Sequence, residues 1–238
     1  MKPYLTFVLP LGNVKLKDNT VGSFQVINNK QLSAYKKQLE LSWVQKSVLV
    51  GSILGDANLR MMKRQAALTI AHSSKQKDYV FWKYNIFQSW VLTPPREENR
   101  IYYKDRSRML KSWRFQSISH ESLTRFYSNF YPQGKKIVPA NLIKLLTSQA
   151  LAVWYMDDGS KKTHGRGAFL HTQNFILEDQ YKLIEILNKN FGLEARISSH
   201  GWSKGKQLFR LYITANSFPR FKALILPYLL PIFNYKII

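Results

Sequence analysis

The chain has 238 residues, with 36 Lys and Arg against 14 Asp and Glu for a formal charge of +22, and it contains no cysteine. Apolar residues make up 45% and aromatics 14%, enough to bury a core, which excludes a disordered basic tail. The lack of Cys excludes disulfides, thiolate zinc sites and a Cys nucleophile, and no apolar run reaches the roughly 18 residues that span a bilayer, so no membrane partner is expected. At a pI near 10.1 the folded chain repels itself, and a polyanion relieves that repulsion. Nucleic acid is the leading partner, because Lys and Arg release the counterions condensed on its phosphates.

Residues 1–41 are weakly patterned. Their apolar run, PYLTFVLPLG, is broken by Pro3 and Pro10; it lacks the Arg-rich amphipathic character of a transit peptide and the length of a signal segment. It reads as an extension leading to a short helix over 33–41.

The chain then repeats itself. LVGSILGDANL at 49–59 is answered by LAVWYMDDGSK at 151–161, which places Asp158 102 residues (158 − 56) after Asp56. In the same order, LTIAHSS at 68–74 is answered by AFLHTQN at 168–174, DYVFWKYNIFQSWV at 78–91 by DQYKLIEILNKNFG at 179–192, and WRFQSIS at 113–119 by FRLYITA at 209–215. Last, Lys136 lies 80 residues (136 − 56) beyond Asp56, and Lys236 lies 78 (236 − 158) beyond Asp158. Each unit reads as helix, two strands, helix, two strands, helix. The expected fold is α/β (α+β): two pseudo-symmetric αββαββα units with two antiparallel sheets.

The strands alternate. In 208–214, Phe209, Leu211 and Ile213 point one way and Arg210, Tyr212 and Thr214 the other. In 108–118, Trp113 and Phe115 oppose Arg108, Ser112, Arg114 and Gln116, with Lys111 breaking the pattern. An ordinary solvated sheet face also shows one polar side. Here the polar side is basic: Arg96, Arg100, Lys104, Arg106, Arg108, Lys111 and Arg114 outnumber Glu97, Glu98 and Asp105.

Asp56 and Asp158 each end an apolar helical segment, the unfavourable end of the helix dipole for a carboxylate. A bound cation would offset that cost, and Mg²⁺ suits hard carboxylate and carbonyl oxygens. Two such centres can activate water and stabilise a leaving 3′ oxygen at a phosphodiester. Either Asp alone could be a turn former. Gly51 and Gly55 leave a shallow helix surface at i, i+4 that another backbone can approach closely, with 151–156 as the partner surface. No histidine among His72, His120, His164, His171 and His200 shows zinc spacing.

LVGSILGDA and LAVWYMDDG resemble two copies of the motif that names the LAGLIDADG homing endonucleases, with its metal-binding eighth letter on Asp56 and Asp158. The resemblance covers roughly 42–238 and is closest to single-chain, two-motif members encoded in organellar group I introns. WVLTPP at 90–95, GKKIVP at 134–139, WYMDDG at 154–159 and PYLLP with NYK at 227–236 belong to that likeness. The resemblance implies catalytic roles for Asp56, Asp158, Lys136 and Lys236. It implies two or three Mg²⁺ ions at the centre, held by the two Asp carboxylates and the backbone carbonyls of Gly55 and Asp157. The third, fourth and seventh motif letters differ between copies (Gly51 and Val153, Ser52 and Trp154, Gly55 and Asp157), which implies an asymmetric helix interface and an asymmetric target.

The resulting expectation is an N-terminal extension (1–41) and two subdomains (42–140 and 141–238) forming a saddle, with the motif helices at its centre. The chain would act as a monomeric pseudo-dimer on double-stranded DNA, cutting both strands to leave 3′ overhangs. The expected DNA contacts are Arg60, Arg64, Arg100, Lys104, Arg106, Arg108, Arg114, Gln116, Lys161, Arg166, His171, Gln173, Lys204, Lys206, Arg210 and Tyr212. An organelle is the expected compartment, the mitochondrion first and the chloroplast as alternative. The rival reading is a group I intron RNA maturase on the same scaffold, with intron RNA as partner. A basic DNA-binding regulator without chemistry would explain the charge but not the duplicated Asp and Lys.

Overall fold

The element order in this computed structural model is αββαββα, run through twice. Residues 28–102, 105–203 and 205–237 are described, without side chains for Arg100, Tyr102 and 105–108. Contacts divide the chain into residues 1–38 and 39–238. The first unit holds α1 (Asn29–Lys36), which starts earlier than expected because Asn28 and Gln31 close a capping box. The second unit runs α2 (Trp43–Leu54), β1 (Asn58–Met61), β2 (Ala66–Ser73), α3 (Lys77–Ile86), β3 (Arg96–Tyr102), β4 (Asp105–Gln116) and α4 (Glu121–Phe130). A short α5 (Leu142–Leu145) follows, then α6 (Ser148–Asp158), β5 (Gly159–Lys161), β6 (Ala168–Leu170), α7 (Leu177–Phe191), β7 (Ala195–Ser203), β8 (Lys206–Ile213) and α8 (Phe218–Ile225).

Both sheets are antiparallel, with orders β1-β2-β4-β3 and β5-β6-β8-β7. Their registers repeat. Asn58 pairs with Thr69 and Thr69 with Gln116; Ser160 pairs with Phe169 and Phe169 with Tyr212. Arg114 and Arg210 are therefore counterparts, each two residues before the paired residue on the central strand. Phe115, Leu211 and Ile213 are buried against the helices, so the alternation read from the sequence sets which face is left for a ligand.

Helices α2 and α6 form the centre. Ser42 with Gln45, and Thr147 with Ala150, cap their N-termini. Beyond the first turn both are buried on all sides, from Ser47 to Leu54 and from Gln149 to Met156, so neither shows an amphipathic stripe. A Cβ on Gly51 would stand 2.3 Å from the Ala150 carbonyl oxygen and 2.7 Å from the Val153 Cβ. Gly51 is the hollow that receives Val153, so the unequal third letters fit one another.

Two details of the repeat change. The buried positions Tyr79, Val80, Lys83 and Phe87 recur at Asp179, Gln180, Leu183 and Leu187, an offset of 100 (183 − 83) instead of the 101 that aligns Asp78 with Asp179. The short β6 ends at Leu170, so His171 and Gln173 follow the strand; the His171 N–H still donates to the Asp158 carbonyl at 2.9 Å.

Candidate active site

The C-terminal ends of α2 and α6 bring three carboxylates together. Asp157 turns its side chain, fully buried, across to the first half. It accepts from Lys83 Nζ at 2.9 and 3.0 Å, from the Tyr79 hydroxyl at 2.7 Å and from the backbone N–H of Asp56 at 3.3 Å. Gly55 lacks a side chain where one would collide: its Cβ would lie 2.4 Å from that of Asp157. His72 Nδ1 lies 3.5 Å from Asp56 Oδ2 and His72 Nε2 lies 3.3 Å from Lys83 Nζ, while the His72 ring packs on Tyr79. The hydrogen bond from His72 holds the Asp56 carboxyl below the ordinary carboxylate value.

A lysine closes each helix end. Lys136 Nζ donates to the carbonyls of Leu54 and Gly55, both at 3.2 Å. Lys236 Nζ donates to those of Tyr155 at 3.3 Å and Met156 at 2.7 Å. These carbonyls lie at the negative pole of each helix, where the last carbonyls lack onward partners; that of Tyr155 also accepts the Gly159 N–H. The loop carrying Lys136 is pinned where Asp179 accepts the Val138 N–H at 3.0 Å. The turn carrying Lys236 is pinned where Tyr155 donates to the Lys236 carbonyl at 2.6 Å and Phe233 packs edge-on against Tyr79. Burial lowers both ammonium groups from their ordinary value, and the three carboxylates oppose that shift.

The lysines supply part of the positive charge that the helix ends call for, but not all of it. Burial, with Asp56 and Asp157 nearby, pushes the Asp158 carboxyl up to about 7, and among the described residues Asp158 forms no ion pair. Carboxylates crowded at two helix C-termini fit a hard divalent cation such as Mg²⁺. Asp56, His72 and Asp157 offer ligand atoms within 4.8 Å of one another, yet Lys83 already occupies that cluster as a cation. Asp56, with 46% of its side chain exposed, and Asp158 are the carboxylates open to an ion. The Gly55 carbonyl, expected as a ligand, also accepts from Lys136; the side chain of Asp157, whose carbonyl is the other expected ligand, is buried against Lys83.

The polar sheet faces extend from these acids. Asp56, Asn58, Arg60, Thr69, Ala71, Arg114 and Gln116 line one groove. Arg114 is tied to Glu98 at 3.4 Å, and Arg64 is exposed in the β1–β2 turn. On the second sheet the Arg210 guanidinium lies 3.5 Å from the Phe169 ring centre. The Tyr212 hydroxyl donates to the Arg166 carbonyl at 3.0 Å, which props the turn carrying the exposed Arg166. His171 bonds Ser160 at 2.9 Å and Gln173 at 3.3 Å; burial and Arg210 push its pKa down to about 4. Lys161 and Lys206 are exposed. Arg100, Arg106 and Arg108 fall on β3 and β4 without described side chains, and Lys104 and Lys204 lie outside the described residues.

Sequence reading missed His72, Tyr79 and Lys83, which surround the first centre. Lys83 carried a signal: a single cation on the apolar stripe of α3. Arg196 was also missed. It stands opposite Tyr212, and its alternation in ARISS marks it.

The profile of the LAGLIDADG DNA endonuclease family matches residues 46–221. A probable intron-encoded endonuclease 1 from Wickerhamomyces canadensis is 32% identical over 89% of this chain and 91% of its own. A cytochrome b mRNA maturase bI2 from Debaryomyces hansenii is 26% identical over 89% of this chain and 77% of its own. The solved structure of the homing endonuclease I-WcaI bound to its DNA recognition sequence superposes with a TM-score of 0.79 at 31% identity, covering 89% of this chain and 93% of that one.

Proposed function

The chain belongs to the LAGLIDADG DNA endonuclease family, and from that premise we propose that it is a homing endonuclease that cuts both strands of a long, asymmetric DNA site to leave 3′ overhangs. The observation that carries this reading is the meeting of Asp56 and Asp158 at paired helix ends, each end closed by its own lysine. A DNA-binding protein without chemistry has no use for that duplicated set. Extension 1–41 and subdomains 42–140 and 141–238 are the divisions this reading assigns.

The two basic sheet faces would lie along the major groove as β-ribbons. Arg60, Arg114, Arg210 and Arg196 offer charge to phosphates or hydrogen bonds to base edges, and the neutral His171 with Gln173 offers hydrogen bonds alone. Asp56 and Asp158 would hold Mg²⁺, which activates water and stabilises the leaving 3′ oxygen. Asp56 is kept ionised by His72. Asp158 must lose the proton that its surroundings favour before it can serve as a ligand. Lys136 and Lys236, tethered to helix-end carbonyls, would present N–H donors to charge developing at each scissile phosphate.

An organelle, the mitochondrion first, is the inferred compartment. A relative named as intron-encoded and another named as a cytochrome b mRNA maturase support it. The maturase relative also favours a second reading, intron RNA bound on the same basic surface. Incubating the protein and Mg²⁺ with a plasmid library of intron-insertion sites tests the main reading. Linear product with 3′ overhangs at one site supports it; tight binding of intron RNA with no cleavage of any plasmid contradicts it.

A further inference from the structure

The buried pair of Lys83 and Asp157 has no place in the chemistry just assigned. Lys83 is 0% exposed, and both Asp157 oxygens lie within 3.0 Å of its ammonium. A charge pair sealed from water recovers its desolvation cost only through such close geometry and further hydrogen bonds. Asp157 has them, from Tyr79 and from the Asp56 backbone. That last bond crosses from α6 to the residue after Gly55, so the second motif's carboxylate holds the first motif's metal-binding residue.

Among the described residues the second half has no equivalent. Gly55 stands at Asp157's place in the motif and carries no side chain. Leu183 stands at Lys83's place in the buried pattern and Thr172 at His72's. Thr172 bonds the neutral Gln180 at 2.9 Å. The halves are thus complementary: the acid of the second meets the lysine of the first, and the space beside Gly55 is taken by that same Asp157. Joining two first halves would leave Lys83 without an acid, and joining two second halves would leave Asp157 without a cation.

Resting on the endonuclease reading, we propose that Lys83 and Asp157 are positioning residues for the Asp56 centre, to which their hydrogen bonds run. They hold the Asp56 backbone and fill the Asp56–His72–Asp157 cluster with an internal ammonium, which confines a divalent ion to the solvent side. The two centres are consequently unequal, and losing the pair slows the cut of one strand selectively. Outer partners of this kind typically contribute on the order of 10–100-fold in metal affinity or activity.

The test measures single-turnover nicking of each strand, with Mn²⁺ titration of the DNA complex and thermal melting. The variants are Asp157→Asn, Lys83→Met and Lys83→Met with Asp157→Asn. The double variant removes both charges, so it should melt close to the parent while each single variant melts well below it. In the double variant the strand most slowed by Asp56→Asn should be cut about 10–100-fold more slowly, with the other strand little changed. Its Mn²⁺ affinity should fall while DNA affinity holds. Equal slowing of both strands, or parental rates on both, in a folded double variant overturns the proposal. Should Asp56→Asn leave both cuts untouched, the endonuclease assignment of Asp56 fails instead, and the Mn²⁺ titration decides: an unchanged midpoint overturns the positioning role.

Discussion

The ammonium of Lys236 lies 2.7 Å from the carbonyl oxygen of Met156, at the C-terminal end of α6. Lys136 makes the same kind of bond at the end of α2. Two lysines from segments that resemble each other little thus reach equivalent helix ends beside the carboxylates. A helix needs no such lysine to end, and neither lysine belongs to the sheet faces.

If these ammoniums act on charge developing at the phosphate, Lys136→Met and Lys236→Met should lower the single-turnover rate far more than DNA affinity. Loss of one oriented donor typically costs about 2.7–4 kcal/mol of barrier, on the order of 10²–10³ in rate. Unchanged rates at saturating enzyme would reduce both lysines to helix caps.

Asp158 links the site to folding. Its folded value, about 7, lies above the ordinary 3.8. The folded chain therefore holds this proton more tightly than the unfolded chain does. The stability it contributes is complete below about pH 3.8 and is lost as the pH rises through 7. Without divalent ions, Asp158→Asn should melt higher than the parent at pH 8 and close to it at pH 4. Adding Mg²⁺ at pH 8 should raise the melting temperature of the parent more than that of the variant. Melting curves that do not separate at pH 8 would contradict the buried charge.

Gly51→Ala tests the helix pairing. In an exposed helix this change stabilises by about 1 kcal/mol. Here the added methyl meets the Ala150 carbonyl and Val153, and overpacking of this kind costs about 1–3 kcal/mol. Calorimetry should show a melting temperature lower by several degrees; a rise would mean the helices do not cross at Gly51.

The +22 charge sets the salt dependence. If roughly six to ten phosphates are neutralised, the log–log slope of affinity against salt should be about −5 to −9. A nearly flat slope would mean that the basic faces do not meet a duplex.

The fold was legible because its signals are local and doubled. The period-2 alternation around Phe115 and Leu211 gave the strands and their faces, and the two motif segments gave the central helices even though neither is amphipathic. The aspartates and lysines were legible as spacings. What stayed hidden depends on contact across the halves. Asp157 reads as a motif letter beside Asp158, and only packing turns it toward Lys83, 74 residues away in sequence. His72 reads as one histidine among five; only the register of β2 sets it beside Asp56. The N-terminal helix was misplaced because its capping box, Asn28 with Gln31, precedes any apolar pattern.

The most direct measurement is cleavage of the target plasmid in Mg²⁺ by Asp56→Asn and by Asp158→Asn, with affinity measured in parallel. Each substitution keeps the side chain's size and removes its charge. Both variants should bind DNA about as tightly as the parent and fail to produce linear plasmid. Linear product at the parental rate from either variant would contradict the assignment of the chemistry to these two residues.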